Sequence, residues 1–457
     1  MVVVGHGAGR RVALLREALA RLGLPPARVV SYPDLLVGRV ALPDVVQAGS
    51  IVRIESPDKD LEGERALLAA GADEPDPDGP DADGYDRLTR EQVAALQPER
   101  GRILPTRQWY LGLCRVLRLI EEQLAACPPH RPMNAPADVA TMFDKRRCHA
   151  LLQRHGVAVP RCLGLVRSYA ELMARMHDEH WRRVFVKIAH GSSASGVVAL
   201  QTNGRQLHAT TTVQLTRDAG ALRLYNSRRL RVYRDPDEVA LLIDTLCRHR
   251  VHVEQWLPKA SVGDRAFDLR VVVIAGQVRH VVARFSRGPM TNLHLLNERG
   301  GLDTVLPRIG ADAWTRARDA CEAVMAACFP HSLHAGIDLM FTPDYRRHAV
   351  LEVNAFGDLL PGALSDGQDT YTAEVVALLD DRVTPGAARQ GGGTATKVAW
   401  QGTDTEVSSK TLSLCEMASP ITPYHNAIPS SDFSRRHVPL PRALGQGLPV
   451  QGTATQS

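Results

Sequence analysis

Gly336-Ile337-Asp338-Leu339-Met340-Phe341 and Ala349-Val350-Leu351-Glu352-Val353-Asn354 are two apolar runs flanking Thr342-Pro343-Asp344-Tyr345-Arg346-Arg347-His348, a turn-type segment. This pattern predicts an antiparallel hairpin. Folded symmetrically about Tyr345, it sets Asp338 directly opposite Glu352, and opposed residues point to one face. Asn354 shares that face, whereas Leu351 and Val353 point to the other. Two carboxylates facing each other on a half-buried sheet repel. A cation removes the repulsion, and two acids with an amide suit Mg²⁺, which fills its remaining shell with water and phosphate oxygens. The competing readings are a solvent-facing hairpin that happens to carry acids, and a carboxylate pair for acid–base work.

Outward from the hairpin, the spacing predicts strands near 268–275 and 278–285, a helix at 312–328 and a last helix at 369–380. Upstream, two apolar strands between Arg183 and Thr202 flank His190-Gly191-Ser192-Ser193-Ala194-Ser195-Gly196. Period-2 stretches at 209–216 and 221–234 extend this region into a twisted antiparallel sheet. A helix from Pro236 to Arg248 leads to the strand Val251–Glu254. A helix is also expected from Ala137 to Arg154, ending at His155-Gly156, and another at 107–126. Residues 73–86, rich in Asp, Pro and Gly, read as an exposed loop. The chain opens β-α-β: Val2–Gly5, a helix from Val12 to Leu22, and a strand at Val29–Ser31. Its Gly5/Gly7/Gly9 loop lacks the spacing and the following acid of a dinucleotide fingerprint, so a tight turn is the simpler reading. From about 385 to 457 a Ser-, Thr-, Pro- and Gly-rich segment reads as a disordered tail, or as an artefact of gene assembly or a shifted reading frame.

The 457-residue chain is 44% hydrophobic and 23% charged, with a formal charge of +5. That charge is small and dispersed, which argues against a nucleic-acid partner. No apolar run approaches the roughly 20 residues of a membrane span, and the first residues do not read as a signal peptide. Eight cysteines without a CxxC pair suit a reducing cytoplasm, with Cys321 and Cys328 as buried thiols.

Several further pieces carry chemistry. Lys187 ends the strand Val184–Lys187 and is followed at once by the Gly/Ser loop. Such loops fold N–H groups and hydroxyls around phosphates, although this one also reads as a hairpin turn. Val253-Glu254-Gln255-Trp256-Leu257-Pro258 could line a flat apolar pocket with polar edges, or simply be a core strand. Asp268-Leu269-Arg270, Arg284 and the segment Pro289–His294 follow. Arginine forks bind carboxylate or phosphate oxygens, and are more often surface ion-pair partners.

Taken in order, these pieces resemble the ATP-grasp superfamily. The nearest branch is that of glutathione synthetase and the ribosomal-protein glutamate ligase, and the pattern is closest to an uncharacterised bacterial ATP-grasp group. The resemblance covers roughly residues 134–365. It runs through Asn134-Ala135-Pro136 with Asp144-Lys145, Lys187 and its loop, Glu254–Leu257, Asp268-x-Arg270, Arg284, Asn292, Asp338 and Glu352-x-Asn354. It implies an α/β (α+β) fold divided into a Rossmann-like N-terminal domain (1–133), a lid subdomain (134–255), a C-terminal subdomain with the metal site (256–384) and the tail (385–457).

By the same resemblance, Lys145, Lys187, Gly191, Ser192, Ser193, Ser195 and Gly196 would surround ATP phosphates. Glu254, Gln255, Trp256 and Leu257 would form the adenine hinge. Asp268 would lie near the ribose and Asn292 near the phosphates. Asp338, Glu352 and Asn354 would bind two Mg²⁺ ions, with Mn²⁺ as a substitute. Arg270 and Arg284 would steady the γ-phosphoryl group and a substrate carboxylate. The implied activity is a carboxylate–amine ligase acting through an acyl phosphate on small-molecule or peptide substrates, with a homo-oligomer compatible. A kinase on the same fold and a nucleotide-binding regulator are the alternatives. Two departures sit at the expected acceptor pocket: Asn354-Ala355-Phe356-Gly357 in place of a Pro-Gly continuation, and a lengthened Asn292–Gly301 stretch.

Overall fold

The computed structural model describes residues 1–57, 60–78, 87–192, 194–218, 221–295, 297–356 and 360–380. All fall within one compact unit, Met1–Thr396. The expected tail, Ser193 and part of the loop at 73–86 lie outside the described residues. The fold is α/β (α+β), with three sheets and helices between and around them.

The first sheet contains β1 (Val2–Val4), β2 (Arg28–Val30), β3 (Ile51–Ile54) and β4 (Arg131–Pro132), all parallel, in the order β2-β1-β3-β4. Parallel strands covered on both faces read as unbroken apolar runs, and all three valines of β1 are buried. The helix Arg10–Arg21 covers this sheet with Val12, Leu15, Ala18 and Leu19.

The second sheet is antiparallel and built from β5 (Arg183–Ile188), β6 (Val197–Thr202), β7 (Leu207–Asp218), β8 (Ala221–Tyr233) and β9 (Val251–Gln255), in the order β8-β7-β6-β5-β9. Helices Tyr169–Asp178 and Pro236–Cys247 pack on one face, over Val184, Val186, Val198 and Leu200. The other face carries Phe185 and Ala199, which are register partners across β5 and β6. The outer edge of β8 is capped from the N-terminal region. The Ile103 N–H donates to Leu224 O at 2.8 Å, the Asn226 N–H donates to Gly101 O at 2.6 Å, and Arg102 bridges Tyr225.

The third sheet is formed by β10 (Ser261–Val262), β11 (Arg265–Ile274), β12 (Gln277–Ser286), β13 (Glu298–Gly301), β14 (His334–Phe341) and β15 (His348–Asn354). Its order is β13-β12-β11-β14-β15, with β10 on β11. One core cluster unites this sheet with the helices Thr106–Ala125, Pro136–Phe143, Lys145–Arg154 and Ala311–Cys328. No helix among the described residues is long and apolar enough to cross a membrane. Cys321 and Cys328 are buried and free.

Three expectations are corrected. The helix expected from Ala137 to Arg154 is two helices broken at Asp144, whose backbone is extended. Asp144 ends the first helix and caps the second, its Oδ1 accepting the N–H groups of Arg146 (2.9 Å) and Arg147 (3.2 Å), as an N-cap aspartate does. The loop at 73–86 is not simply exposed, because Asp76 is buried against Arg107. The hairpin β14–β15 is not symmetric about Tyr345. Asp338 pairs with Glu352 as expected, but Leu339 pairs with Val350, so Leu351 is a bulge. A bulge disrupts face alternation locally, and Leu351 faces the same cavity as Glu352 instead of the opposite side.

Candidate active site

The second and third sheets enclose a cavity of about 690 Å³, within the usual size range for small-molecule sites. Its walls include Lys145, Lys187, Gly191, Ser192, Ser195, Glu254, Gln255, Leu257, Asp268, Arg270, Arg284, Asn292, Asp338, Glu352 and Asn354. Residues predicted from points more than 200 positions apart in the sequence thus meet in one space. Trp256 is outside that lining. Its ring packs on Phe185 (centroids 5.1 Å), and the Arg183 guanidinium lies over it at 5.6 Å. Gly196 is not among the lining residues either. It has φ +68°, and a Cβ there would fall 2.2 Å from Ile188 Cδ1, so the turn that delivers the loop requires glycine.

At the acidic end, β14 and β15 present Asp338 and Glu352 side by side, with Asn354 one pair further on opposite Gly336. The Asn354 amide donates to Gly336 O at 3.1 Å. Arginines hold both oxygens of Asp338: Arg270 Nε at 2.5 Å from Oδ1 and Arg284 at 3.1 Å from Oδ2. Burial alone would raise the Asp338 pKa; Arg270 and Arg284 more than reverse this and lower it. Glu352 Oε1 accepts from Lys145 Nζ at 2.6 Å, and the same amine donates to Gly191 O at 2.7 Å. Among the described residues no cluster of three or more His, Cys, Asp or Glu stands ready for a metal. Two facing carboxylates with an amide nevertheless fit Mg²⁺, which uses few protein ligands and takes the rest from water and phosphates.

Behind this end lies a second buried ion group. Asp268 accepts from Arg284 Nε on Oδ1 and from Lys259 Nζ on Oδ2, both at 2.7 Å, and also from the Thr291 hydroxyl. Burial opposes its charge, and Arg284 with Lys259 overcomes that opposition, so its pKa is depressed. Lys187 pairs with Glu254 across β5 and β9. Burial pushes the Glu254 pKa up, but Lys187 and His252 together outweigh it, and it settles at about 2. Beside Lys187 the wall is apolar: Phe185, Ala199 and Met290 form a buried cluster with Val197, Trp256 and Leu295 next to it, and Lys187 Nζ lies 5.8 Å from the Phe185 ring centroid.

Sequence reading missed Lys259, Phe185, His190 and Arg107. Lys259 was the most accessible of these, since it follows the hinge proline directly. Arg107 carried no local signal, because its partners come from distant loops.

No protein-family model and no curated protein matches the chain. Among solved structures, it is similar to the ATP-grasp ligase PsnB complexed with minimal precursor (16% identity, 83% of this chain and 98% of that one, TM-score 0.45). It is also similar to the D-cycloserine synthetase DcsG (14%, 83% and 99%, TM-score 0.47) and to D-alanine–D-alanine ligase from Bacillus anthracis complexed with ATP (13%, 79% and 88%, TM-score 0.42). Likenesses this distant carry no weight for activity, which has to be argued from the side chains.

Proposed function

We propose that the chain is an ATP- and Mg²⁺-dependent carboxylate–amine ligase of the ATP-grasp type. The observation that carries this reading is one cavity lined by both kinds of group: Asp338, Glu352 and Asn354 with Lys145, Lys187, Arg270 and Arg284, together with the apolar Phe185 and Met290. A nucleoside triphosphate has both matching parts, a flat base and a polyanionic tail.

In this reading the adenine lies between Phe185 and Met290, with Gln255 and Leu257 at its edge. Lys145, Lys187 and the Gly191–Ser195 loop hold phosphates, and Lys259 adds a third ammonium that Asp268 keeps in place. Asp338, Glu352 and Asn354 would hold Mg²⁺, which neutralises charge on the phosphoryl oxygens. Arg270 and Arg284 are fixed by Asp338 and Asp268, so they meet an incoming carboxylate or γ-phosphoryl group already oriented. Phosphoryl transfer needs positioning and charge neutralisation more than covalent help from the protein. An acyl phosphate formed on the carboxylate would then be opened by an amine, with phosphate leaving.

The test is hydroxylamine trapping with ATP, Mg²⁺ and a panel of carboxylates. A hydroxamate formed together with ADP is expected. ADP without hydroxamate would replace the ligase by a kinase acting on a hydroxyl. Glu352→Gln keeps a partner for Lys145 but removes a charge from the metal set, and is expected to lower Mg²⁺-dependent ADP formation at least 100-fold with an unchanged circular dichroism spectrum. Near-normal turnover would refute the metal assignment.

A further inference from the structure

Beneath the phosphate end lies a buried ionic strut that the chemistry above does not use. Arg107, in the first turn of the helix Thr106–Ala125, is fully buried. Its Nε donates to Asp76 Oδ2 at 3.0 Å, a second nitrogen lies 2.9 Å from Asp78, and a third lies 3.3 Å from His190 Nε2. His190 Nε2 is also 3.1 Å from Asp144 Oδ2. The ring stacks on Tyr110 with centroids 4.1 Å apart. Burial depresses the His190 pKa to about 4 against the pull of Asp144, so the ring is neutral near pH 7.

Both ends of the strut terminate on the lysine clamp. Asp144 caps the helix whose first residue is Lys145, and the Lys145 N–H donates to Ala189 O at 3.0 Å. His190 directly precedes Gly191, whose carbonyl receives the Lys145 ammonium. Arg250 joins the same group, 3.9 Å from Asp76, and its carbonyl accepts the Ala189 N–H at 2.9 Å. A buried charge is costly unless paired, so Arg107, Asp76, Asp144, His190 and Arg250, all with almost no side-chain exposure, fix one another's positions. His190 Nδ1 is buried and has no hydrogen-bond partner among the described residues.

We infer that Arg107 and His190 are positioning residues. Through Asp76 and Asp144 they set the height of Lys145 and the Gly191 loop over the phosphates, and the loop carrying Asp76 and Asp78 thereby governs phosphate affinity. This rests on the nucleotide reading of the cavity. Neither residue has to touch the nucleotide for the effect.

The experiment compares ATP with adenosine, which lacks the phosphates, by calorimetry on the full chain. His190→Leu removes the donor to Asp144. His190→Gln places an amide near the Nε2 position and is the conservative rescue. The double variant Arg107→Met with Asp76→Asn removes one positive and one negative charge of the buried set together, which lessens the cost to folding. His190→Leu and the double variant are expected to weaken ATP at least tenfold while adenosine stays within twofold, with His190→Gln within threefold of wild type for both. ATP affinity unchanged in either folded variant, or an equal loss for ATP and adenosine, overturns the inference. Wild-type protein that binds no ATP overturns the nucleotide reading itself, and the strut with it.

Discussion

Asp268 decides how the two arginines of the site stand. Its oxygens are divided between Arg284 and Lys259, while Arg284 reaches on to Asp338, which holds Arg270. Removing one charge from such a buried set leaves the others uncompensated, typically at a cost of about 3–5 kcal/mol. Asp268→Asn is expected to lose stability in that range in urea denaturation. A loss below about 1 kcal/mol would mean that water already screens the set. The sequence showed Asp268 and both arginines as chemically interesting but not that they bind one another. Ion pairing between β11, β12 and β14 depends on strand order, which residue types do not encode.

At the scale of elements, the strand pair β5–β9 carries a linked prediction. Glu254 has an ordinary pKa of 4.5 and is lowered to about 2 in the fold, burial being outweighed by Lys187 together with His252. A depressed acid contributes stability that is complete above pH 4.5 and is lost as pH falls through 2. A shift of this size corresponds to about 3 kcal/mol. Denaturation midpoints of wild type are expected to fall between pH 4.5 and 2.5 by more than those of Glu254→Gln. Parallel curves would place the titration elsewhere. The elements themselves were largely readable: apolar alternation gave β14, β15 and the β7–β8 hairpin, and helical spacing gave Thr106–Ala125 and Thr370–Leu379. The break at Asp144 and the bulge at Leu351 were not. Each is a single-residue change of backbone direction inside an otherwise continuous pattern, chosen by tertiary contacts such as the bond from His190 to Asp144. Both lie at the candidate site, where local regularity is most often given up.

Across the whole molecule, the first and third sheets are joined by buried charge. Arg53 of β3 pairs with Glu55 at 2.9 Å and with Glu374 of the helix Thr370–Leu379, and His334 of β14 lies 3.5 Å from Glu374 Oε1. Neither Glu374 Oε1 nor His334 Nδ1 has a hydrogen-bond partner among the described residues. With Glu374 protonated, Arg53 still balances the charge of Glu55. Consistently, burial raises the Glu374 pKa from 4.5 to about 7 despite Arg53. A raised acid gives stability that is full below pH 4.5 and is lost as pH rises through 7, at most about 3 kcal/mol. Wild type is expected to lose urea stability between pH 5 and 7.5, and Glu374→Gln to flatten that change. An identical slope in both proteins would assign the proton to another group.

The strand contact on the edge of β8 has a kinetic consequence. The amides of Ile103 and Asn226 are sealed only while the N-terminal segment lies against the second sheet. Any swing of that sheet away from the cavity has to expose them. Deuterium uptake at Ile103 therefore counts opening events directly, and saturating ATP should slow the count at that amide more than at the buried amides of β1.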